Sequence, residues 1–470
     1  MKRMTVAELA ACDYDLVAPF ELSLAVGGAQ CVVTCVEVLR WLPGRRLVAK
    51  TAWRADDADT RSVPAVLKLF IGSGAERYCR RELAGLAMLQ ALTFQVPDQL
   101  AEIGSADGAL GIVFRFIADS APASGSNLTQ LHALTWHIAK MHEAGVWHED
   151  PKLDNFLFVQ NGPWFVDGDA VRGQSTPLVT IPGLTNLARL LAERPPSFDV
   201  ELDELVRTYF MARGWPVEAQ LVNQLENALS SARHKRVSKY LKKTLRDCGE
   251  FAVSRGLSHF SVRKRQLSAT VWQPFSAEPD AVIANAELIK AGNSATVVRW
   301  QPADGPALII KRYNLKSGWH ALRRSLRPTP RYRASWQNGH RLSLLEIPTA
   351  RPLALLERRL GGVRGVAYLL MEDLGDQTLA DARLSDARLL GLINEAADLF
   401  ALLRKLKLQH GDGKASNFMI HEDRLHLIDL DAMRPSASGW SKDVRRFLDN
   451  WPPSGRERVA AIFRTRNLLS

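Results

Sequence analysis

Between Glu21 and Trp53, apolar and polar residues alternate in short runs broken at Gly27-Gly28 and Pro43-Gly44. A period of two with such breaks predicts antiparallel strands. Val66-Leu67-Lys68-Leu69-Phe70 predicts another strand with one lysine at its centre, and from Arg80 to Leu89 the apolar spacing turns helical. Gly111 to Ile117 reads as a strand, and Leu131 to Glu143 as a helix that stops before Gly145. The same order then recurs. Two strands flank a turn at Gly292-Asn293-Ser294, and Ala307 to Tyr313 is a strand carrying Lys311. Arg333 to Leu342 predicts a helix. Val366 to Met371 predicts a strand apolar enough to be buried on both faces, and Leu389 to Leu406 a further helix. Strands lead and helices follow in each half, so the expected class is α+β. The expected domains are 1–235 and 236–470. Their boundary is placed within 230–265, where Arg233-His234-Lys235-Arg236 and Lys242-Lys243 interrupt the apolar periodicity.

Composition sets outer bounds. A chain of 470 residues has room for two or three domains. Its 46% hydrophobic and 24% charged content is that of an ordinary globular protein. The sequence has no run of about eighteen apolar residues, as a membrane span needs, and its first residues, MKRMTVAELAACDYD, lack the apolar core of a secretory signal. Cys12, Cys31, Cys35, Cys79 and Cys248 show neither paired nor zinc spacing. A reducing, cytoplasmic setting is the expectation.

The chemistry is concentrated in one segment that occurs twice. His148-Glu149-Asp150-Pro151-Lys152-Leu153-Asp154-Asn155 is closed by Asp167, and His410-Gly411-Asp412-Gly413-Lys414-Ala415-Ser416-Asn417 by Asp429. In both copies Asn follows the first Asp by 5 positions and the closing Asp follows it by 17, and the copies stand 262 residues apart throughout. The pattern resembles the catalytic and metal-binding signature of the protein-kinase fold. Two copies in identical register imply two protein-kinase-like domains in tandem, each with a small antiparallel β-rich lobe and a short helical lobe.

The spacing suits phosphoryl transfer, which needs positioning and charge neutralisation more than covalent help. Asp150 and Asp412 would orient the acceptor hydroxyl and take its proton. Lys152 and Lys414 would reach the γ-phosphate of ATP. Asn155 and Asn417 offer a neutral oxygen to Mg²⁺, and Asp167 and Asp429 a hard carboxylate to the same ion. Apolar residues precede each closing Asp, so it ends a short strand of a hairpin that turns at Asn161-Gly162 or at His421-Glu422-Asp423. His148 and His410 are read as structural hydrogen-bonding residues. Lys68 on its strand and Glu82 on its helix fit the ion pair that grips the α- and β-phosphates in this fold. In the second half Lys311 takes the lysine's place, and the turn at Gly292, Asn293 and Ser294 could lay backbone N–H groups over phosphate. The second half offers no clear match to Glu82. Aligning Gly339 with Gly85 puts Trp336 there, and Glu346 falls past the helix.

The runs HGDGKASNFMI, LIDLDAMR, NGHRLSLLEIPTARPLAL and KDVRRFL look like the lipopolysaccharide core kinase (Kdo/heptose kinase) family. The resemblance is strong over about 285–450 and weaker over about 20–195. It implies ATP-dependent phosphorylation of a heptose or Kdo hydroxyl in the inner core of lipopolysaccharide, on the cytoplasmic face of the inner membrane. The family's roles fall on Asp412, Asn417, Asp429 and Lys311, and in the first half on Asp150, Asn155, Asp167 and Lys68. Asp443 is taken as structural. Only 41 residues follow Asp429. That leaves little room for a peptide-docking lobe, so a protein Ser/Thr kinase is the second enzymatic reading. The non-enzymatic alternative is a pseudokinase pair that scaffolds an acidic glycan or a membrane.

The formal charge of +11 is unevenly spread. From 311 to 341 stand nine basic residues and no acid: Lys311, Arg312, Lys316, Arg323, Arg324, Arg327, Arg331, Arg333 and Arg341. Such a stretch attracts polyanions, and the expected partners are the lipopolysaccharide core oligosaccharide or another acidic glycan, with peripheral membrane contact through this region. Nucleic acid is not an expected partner.

Overall fold

A computed structural model describes residues 1–26, 29–54, 62–104, 108–160, 162–314, 329–381 and 385–469. The chain divides into two compact units, Met1–His234 and Lys235–Ser470.

The first unit opens with β1 (Lys2–Met4), α1 (Val6–Ala10), β2 (Phe20–Val26), β3 (Ala29–Leu42), β4 (Arg46–Trp53) and β5 (Val63–Phe70). Then follow α2 (Ala75–Ala91), β6 (Gln99–Gly104) and β7 (Leu110–Arg115). They form one sheet in the order β1-β2-β3-β4-β5-β7-β6, with a further pairing of β2 to β6. Alternation makes these strands: on β4, Leu47, Ala49, Thr51 and Trp53 are buried and the residues between them are half-exposed. Lys68 lies on β5 opposite Val48 and Ile112, so it has strands on both sides.

The rest of this unit is mostly helical: α3 (Leu128–Glu143), α4 (Thr180–Leu191), α5 (Leu202–Ala212) and the start of α6 (Ala219–Lys243). The short strand β8 (Ala121–Pro122) precedes α3, and between α3 and α4 lie β9 (Val146–His148), β10 (Phe156–Val159), β11 (Gly162–Phe165) and β12 (Val171–Gly173). Leu131, Leu134 and Ile138 of α3 bury against Leu187 and Leu191 of α4 and Leu205 of α5. The i, i+3, i+7 spacing that predicts α3 is thus its core face.

The second unit begins with β13 (Phe251–Arg255), β14 (His259–Lys264), α7 (Ala269–Ala277), α8 (Pro279–Ala284), β15 (Glu287–Lys290), β16 (Ala295–Trp300) and β17 (Leu308–Tyr313). It continues with α9 (Arg331–Leu344), β18 (Pro352–Leu360), β19 (Val363–Glu372) and α10 (Asp386–Lys405). After β20 (Leu408–Gln409), the hairpin β21 (Phe418–His421) and β22 (Arg424–Leu427) and then β23 (Arg434–Pro435), it ends in α11 (Trp440–Leu448) and α12 (Pro453–Arg464). Its sheet runs β13-β14-β18-β19-β17-β16-β15. Lys311 on β17 faces Val297 on β16 and Leu369 on β19.

Both sheets contain the same five-strand order: β3-β4-β5-β7-β6 in the first unit and β15-β16-β17-β19-β18 in the second. In each the lysine strand is central. The extensions differ, since β2 and β1 lie beyond β3, whereas β14 and β13 lie beyond β18. The α7–α8 pair has no counterpart in the expectations above. Pro274 interrupts α7 and Pro279 opens α8, so neither helix is long enough to print a clear period.

A buried polar chain braces the helical part of the first unit. Asn186 donates from Nδ2 to the His148 carbonyl at 2.8 Å, and its Oδ1 lies 3.0 Å from His142 Nε2. His142 Nδ1 is 2.8 Å from the Tyr209 hydroxyl, which accepts from Arg213. The amide orientation makes His142 Nε2 the donor and Nδ1 the acceptor, so the ring is neutral. Burial drives its pKa down to about 4. In the second unit burial drives His340 to about 3, its ring packed on Trp336 and Phe251.

A histidine whose folded pKa is depressed binds fewer protons folded than unfolded, so stability rises with pH between the two values. At about 1.4 kcal/mol per pKa unit, His142 withdraws roughly 3 kcal/mol as pH falls from about 6.5 to 4. Urea unfolding across that range should show the loss. His142→Gln should flatten the slope of the transition that reports the first unit, and His340→Phe that of the second.

Candidate functional site

The site in each unit starts from a hairpin. Phe156 pairs with Phe165 across β10 and β11, and beyond that pair Val166 N donates to Asn155 O at 3.2 Å. In the second unit Phe418 pairs with Leu427 across β21 and β22, and Ile428 N donates to Asn417 O at 3.0 Å. The open end of each hairpin therefore carries Asn on one strand and, one residue past the last bond, Asp167 or Asp429 on the other. The apolar residues that bury the hairpin (Phe156 and Phe165; Phe418 and Leu427) hold that register.

The loop before each hairpin folds back onto its asparagine. Asn155 Nδ2 donates to the Asp150 carbonyl at 3.1 Å, and Asn417 Nδ2 to the Asp412 carbonyl at 2.7 Å and carboxylate at 3.1 Å. With its NH₂ so engaged, each amide directs its oxygen elsewhere. Lys152 pairs with Asp150 at 2.6 Å and Lys414 with Asp412 at 3.3 Å. The first Asp, the Lys and the Asn are thus together in both units.

The two histidines lie behind these loops. His148 accepts the Asp150 N–H at Nδ1 (3.3 Å) and donates from Nε2 to the Asp167 carbonyl at 3.1 Å. His410 Nε2 bonds one residue earlier, to the Ile428 carbonyl at 3.0 Å. The slip accompanies a backbone difference: Asp429 is left-handed, with φ 57° and ψ 55°. Aspartate tolerates that region better than most residues. Burial lowers the pKa of both rings despite the nearby carboxylates, so both are neutral structural groups.

The lysines are held in different ways. Lys68 Nζ donates to Glu82 Oε1 and to the Val166 carbonyl, both at 2.5 Å. Glu82 is fully buried and also accepts from Gly168 N at 3.1 Å and Asp169 N at 3.2 Å. Helix α2 approaches this loop backbone to backbone. A Cβ on Gly85 would stand 2.0 Å from the Gly168 oxygen, and one on Gly168 2.1 Å from the Glu82 oxygen. Asp169 turns away to Arg81 at 3.1 Å and Arg46 at 3.5 Å. In the second unit Lys311 Nζ contacts Asp429 Oδ1 at 2.7 Å and Asp431 Oδ1 at 3.0 Å.

The structure also corrects the alignment of the two helices. Gly339 does not face the loop; a Cβ there would meet the Pro352 ring at 2.4 Å. The α9 residue that faces the loop is Asn338, whose Nδ2 donates to the Leu430 and Met433 carbonyls at 3.1 and 2.8 Å. Asn338 is thus the counterpart of Gly85, and three residues earlier Ser335 is the counterpart of Glu82. Trp336 points elsewhere, its indole N–H reaching the Thr244 carbonyl at 3.2 Å.

The acids are tuned by these contacts. Burial alone would raise the Asp167 carboxyl; the Lys68 and Arg46 cations outweigh it and hold the pKa below the usual range. Burial works against Asp429 in the same way, and Lys311 outweighs it. Asp167 Oδ1 is buried with no hydrogen-bond partner among the described residues. A buried anionic oxygen without a donor fits a position that faces a cation. Among the described residues no three His, Cys, Asp or Glu side chains form a metal cluster. Each unit instead offers one Asp and one Asn, a pair that leaves the other coordination sites of a Mg²⁺ to phosphate oxygens and water.

The glycine turn at Gly292, Asn293 and Ser294 joins β15 to β16 and ends three residues before Val297, the partner of Lys311. Asn314 braces it, donating from Nδ2 to the Gly292 carbonyl at 3.0 Å and from its backbone N to the Ser294 carbonyl at 3.2 Å. The matching turn of the first unit, Pro43-Gly44-Arg45, has Gly44 at φ 62°.

Other residues of the site carry no local signature. Arg446 on α11 donates to Asp412 Oδ1 at 2.9 Å and to the Gly411 carbonyl at 3.0 Å. Asp443, one turn earlier, is buried and accepts from Gly411 N at 3.0 Å and Gly413 N at 3.4 Å. The Asp443 carboxylate thus ties down the start of this loop, and Asn450 Oδ1 accepts from Ala415 N at 2.7 Å further along it. The hydrophobic pair Val444 and Phe447 marks α11 as amphipathic, and a buried acid on such a face is the only sequence signal of this role.

The basic stretch is less open to a partner than its composition implies. Lys311 is bound as above, Arg312 pairs with Asp280 at 2.7 Å, Arg331 with Asp431 at 2.8 Å and Arg333 with Glu357 at 3.1 Å. Arg341 donates to Asn338 Oδ1 at 2.6 Å. These five charges are engaged within the unit. Lys316, Arg323, Arg324 and Arg327 lie outside the described residues.

Comparison with known proteins adds one match. Residues 293–448 match the lipopolysaccharide kinase (Kdo/WaaP) family. The match lies inside the second unit, takes in Lys311, Asp412, Asn417, Asp429 and Asp443, and covers about a third of the chain. No curated protein matches the chain. Over this segment the second unit is similar to lipopolysaccharide kinases. Among the described residues no helix is long and apolar enough to cross a membrane.

Removing the Asp443 carboxylate would leave two N–H groups of this loop without their acceptor, at about 1–3 kcal/mol each. Asp443→Ala should lower the thermal midpoint of the second unit and cost more than Asp443→Asn, which keeps one acceptor oxygen. Differential scanning calorimetry of the two variants checks the order.

Proposed function

We propose that this protein is an ATP-dependent kinase that phosphorylates a heptose or Kdo hydroxyl of the lipopolysaccharide inner core, with both units built as protein-kinase-like domains in tandem. The observation that carries the reading is the convergence, in each unit, of Asp, Lys and Asn on one loop with an Asp fixed by hairpin register. The Kdo/WaaP match supports the lipopolysaccharide part for the second unit. For the first unit the support is its shared five-strand order and its Lys68–Glu82 pair.

In this reading Asp412 receives the proton of the acceptor hydroxyl and Lys414 steadies the transferred phosphoryl group. Asn417 and Asp429 would hold Mg²⁺, and Asn155 and Asp167 would do so in the first unit. The ion supplies neutralisation of the charge that grows on the phosphoryl oxygens. Lys311 and Lys68 would bind the α- and β-phosphates. The turns at Gly292–Ser294 and at Pro43–Arg45 end on the lysine side of each sheet, where backbone N–H groups suit phosphate.

Arg446 adds a constraint on Asp412. An acceptor hydroxyl would have to share that carboxylate with the Arg446 guanidinium. Acidic glycan as partner and contact with an anionic membrane surface are part of the proposal, with recruitment through Lys316, Arg323, Arg324 and Arg327 at roughly 1 kcal/mol per charge.

The test uses labelled ATP with dephosphorylated core oligosaccharide and, in parallel, a generic protein acceptor. Wild type should label the oligosaccharide and not the protein. Asp412→Ala should lower transfer by about 10²–10⁴-fold, as loss of a general base does. The same loss in Asp150→Ala would assign transfer to the first unit. Labelling of the protein alone would replace this reading with a protein kinase. Bound nucleotide without any transfer would replace it with a scaffold.

A further inference from the structure

Kinase-type sites need their phosphate-binding lysine held at a fixed point, and in the first unit a helix carboxylate does this. Lys68 is anchored by Glu82 of α2, which is fully buried. In the second unit the α9 residue at that place is Ser335, which carries no carboxylate. Among the described residues of α9 there is no acid at all.

A second carboxylate stands in its stead. Asp431 lies two residues past Asp429, in the loop after the hairpin, with its side chain only 4% exposed. Its Oδ1 is 3.0 Å from Lys311 Nζ and accepts the Tyr313 hydroxyl at 2.7 Å. Its Oδ2 accepts from Arg331 at 2.8 Å, at the start of α9. The side chain is thus fixed by three donors from two elements, β17 and α9. A buried carboxylate with full hydrogen bonding is rigid, as an anchor must be. Its counterpart in the first unit, Asp169, makes no such contact. It is turned to Arg46 and Arg81, and Lys68 goes to Glu82.

Resting on the kinase reading of the second unit, the geometry points to Asp431 as the positioning residue for Lys311, in place of a helix glutamate. Lys311 also touches Asp429 at 2.7 Å, but that carboxylate is the one the reading assigns to Mg²⁺. When the cation takes Asp429, Asp431 remains to hold the lysine. The anchor has moved from the helix to the loop that also carries the metal-binding acid. Lysine and metal ligand are therefore positioned by the same short segment, Asp429-Leu430-Asp431, which Asn338 clamps through the Leu430 carbonyl.

The experiment uses the full chain carrying Lys68→Met, so that nucleotide binding reports the second unit, and measures MgATP affinity by calorimetry alongside the thermal midpoint. Asp431→Asn should weaken MgATP about tenfold. Lys311→Met should weaken it by at least as much, and the double variant no further than Lys311→Met alone, since Asp431 acts through Lys311. Tyr313→Phe, which keeps the carboxylate but removes one of its three donors, should give a smaller loss of the same sign and serves if Asp431→Asn does not fold. Adding Ser335→Glu to Asp431→Asn should recover affinity, which a merely structural role would not allow. Wild-type affinity in Asp431→Asn, tighter binding, or additive losses in the double variant would overturn the assignment. No MgATP binding before any change at 431 would overturn the kinase reading of the second unit itself.

Discussion

One backbone hydrogen bond in each unit governs the rest of the site: Val166 N to Asn155 O, and Ile428 N to Asn417 O. It is the last bond of a short hairpin, and it sets which residue of the second strand stands beside the asparagine. A slip of one residue would turn Asp167 or Asp429 to the opposite face and put an apolar neighbour in its place. The hairpins are short, but their inward residues belong to the two largest cores, so register is enforced by packing rather than by the strands themselves. The histidines behind the loops add a second check on the same register, each bonding a carbonyl at or next to the aspartate.

With the hairpin fixed, the units diverge in how they treat the cation on the central strand. In the first, a carboxylate from α2 bridges Lys68 to the backbone of the 167–169 loop, so helix, strand and loop meet at one buried point. In the second, the loop reaches the lysine by itself and α9 contributes Asn338 to the loop backbone. The catalytic-type loops diverge in the same fashion. His148 is braced through Asn186 by the chain that includes His142 and Tyr209, whereas the Gly411–Gly413 segment is braced by the charged Asp443. The loops are therefore supported by a chain of several side chains ending at Arg213 in one unit and by the Asp443 carboxylate accepting backbone N–H groups in the other.

Much of this was legible in the sequence. The strand with Lys68 and the helix with Glu82 were visible because their apolar periods are clean, and the duplicated segment fixed which residues share a loop. The α7–α8 pair was not, because prolines break it into pieces too short to show a period. The helix alignment failed for a different reason. Gly85 and Gly339 are both glycines on helices, but one is small to admit a loop backbone and the other to admit the Pro352 ring, and sequence alone does not say which. Asp431 was passed over because an acid in a loop looks like solvated surface until its three donors are seen. The pairing of the basic stretch was not legible either, because the acids that engage Arg312, Arg331 and Arg333, namely Asp280, Asp431 and Glu357, lie far off in sequence.

The contact between Gly85 and Gly168 sets a limit on how the first unit can diversify. Two bare backbones touch there, so neither position tolerates even an alanine while the other partner stays in place. The second unit has no such bottleneck, since Asn338 spans its gap with a side chain whose length can be traded. Drift at this junction is thus blocked in one half of the chain and open in the other, and a library of variants should recover substitutions at 338 far more readily than at 85 or 168.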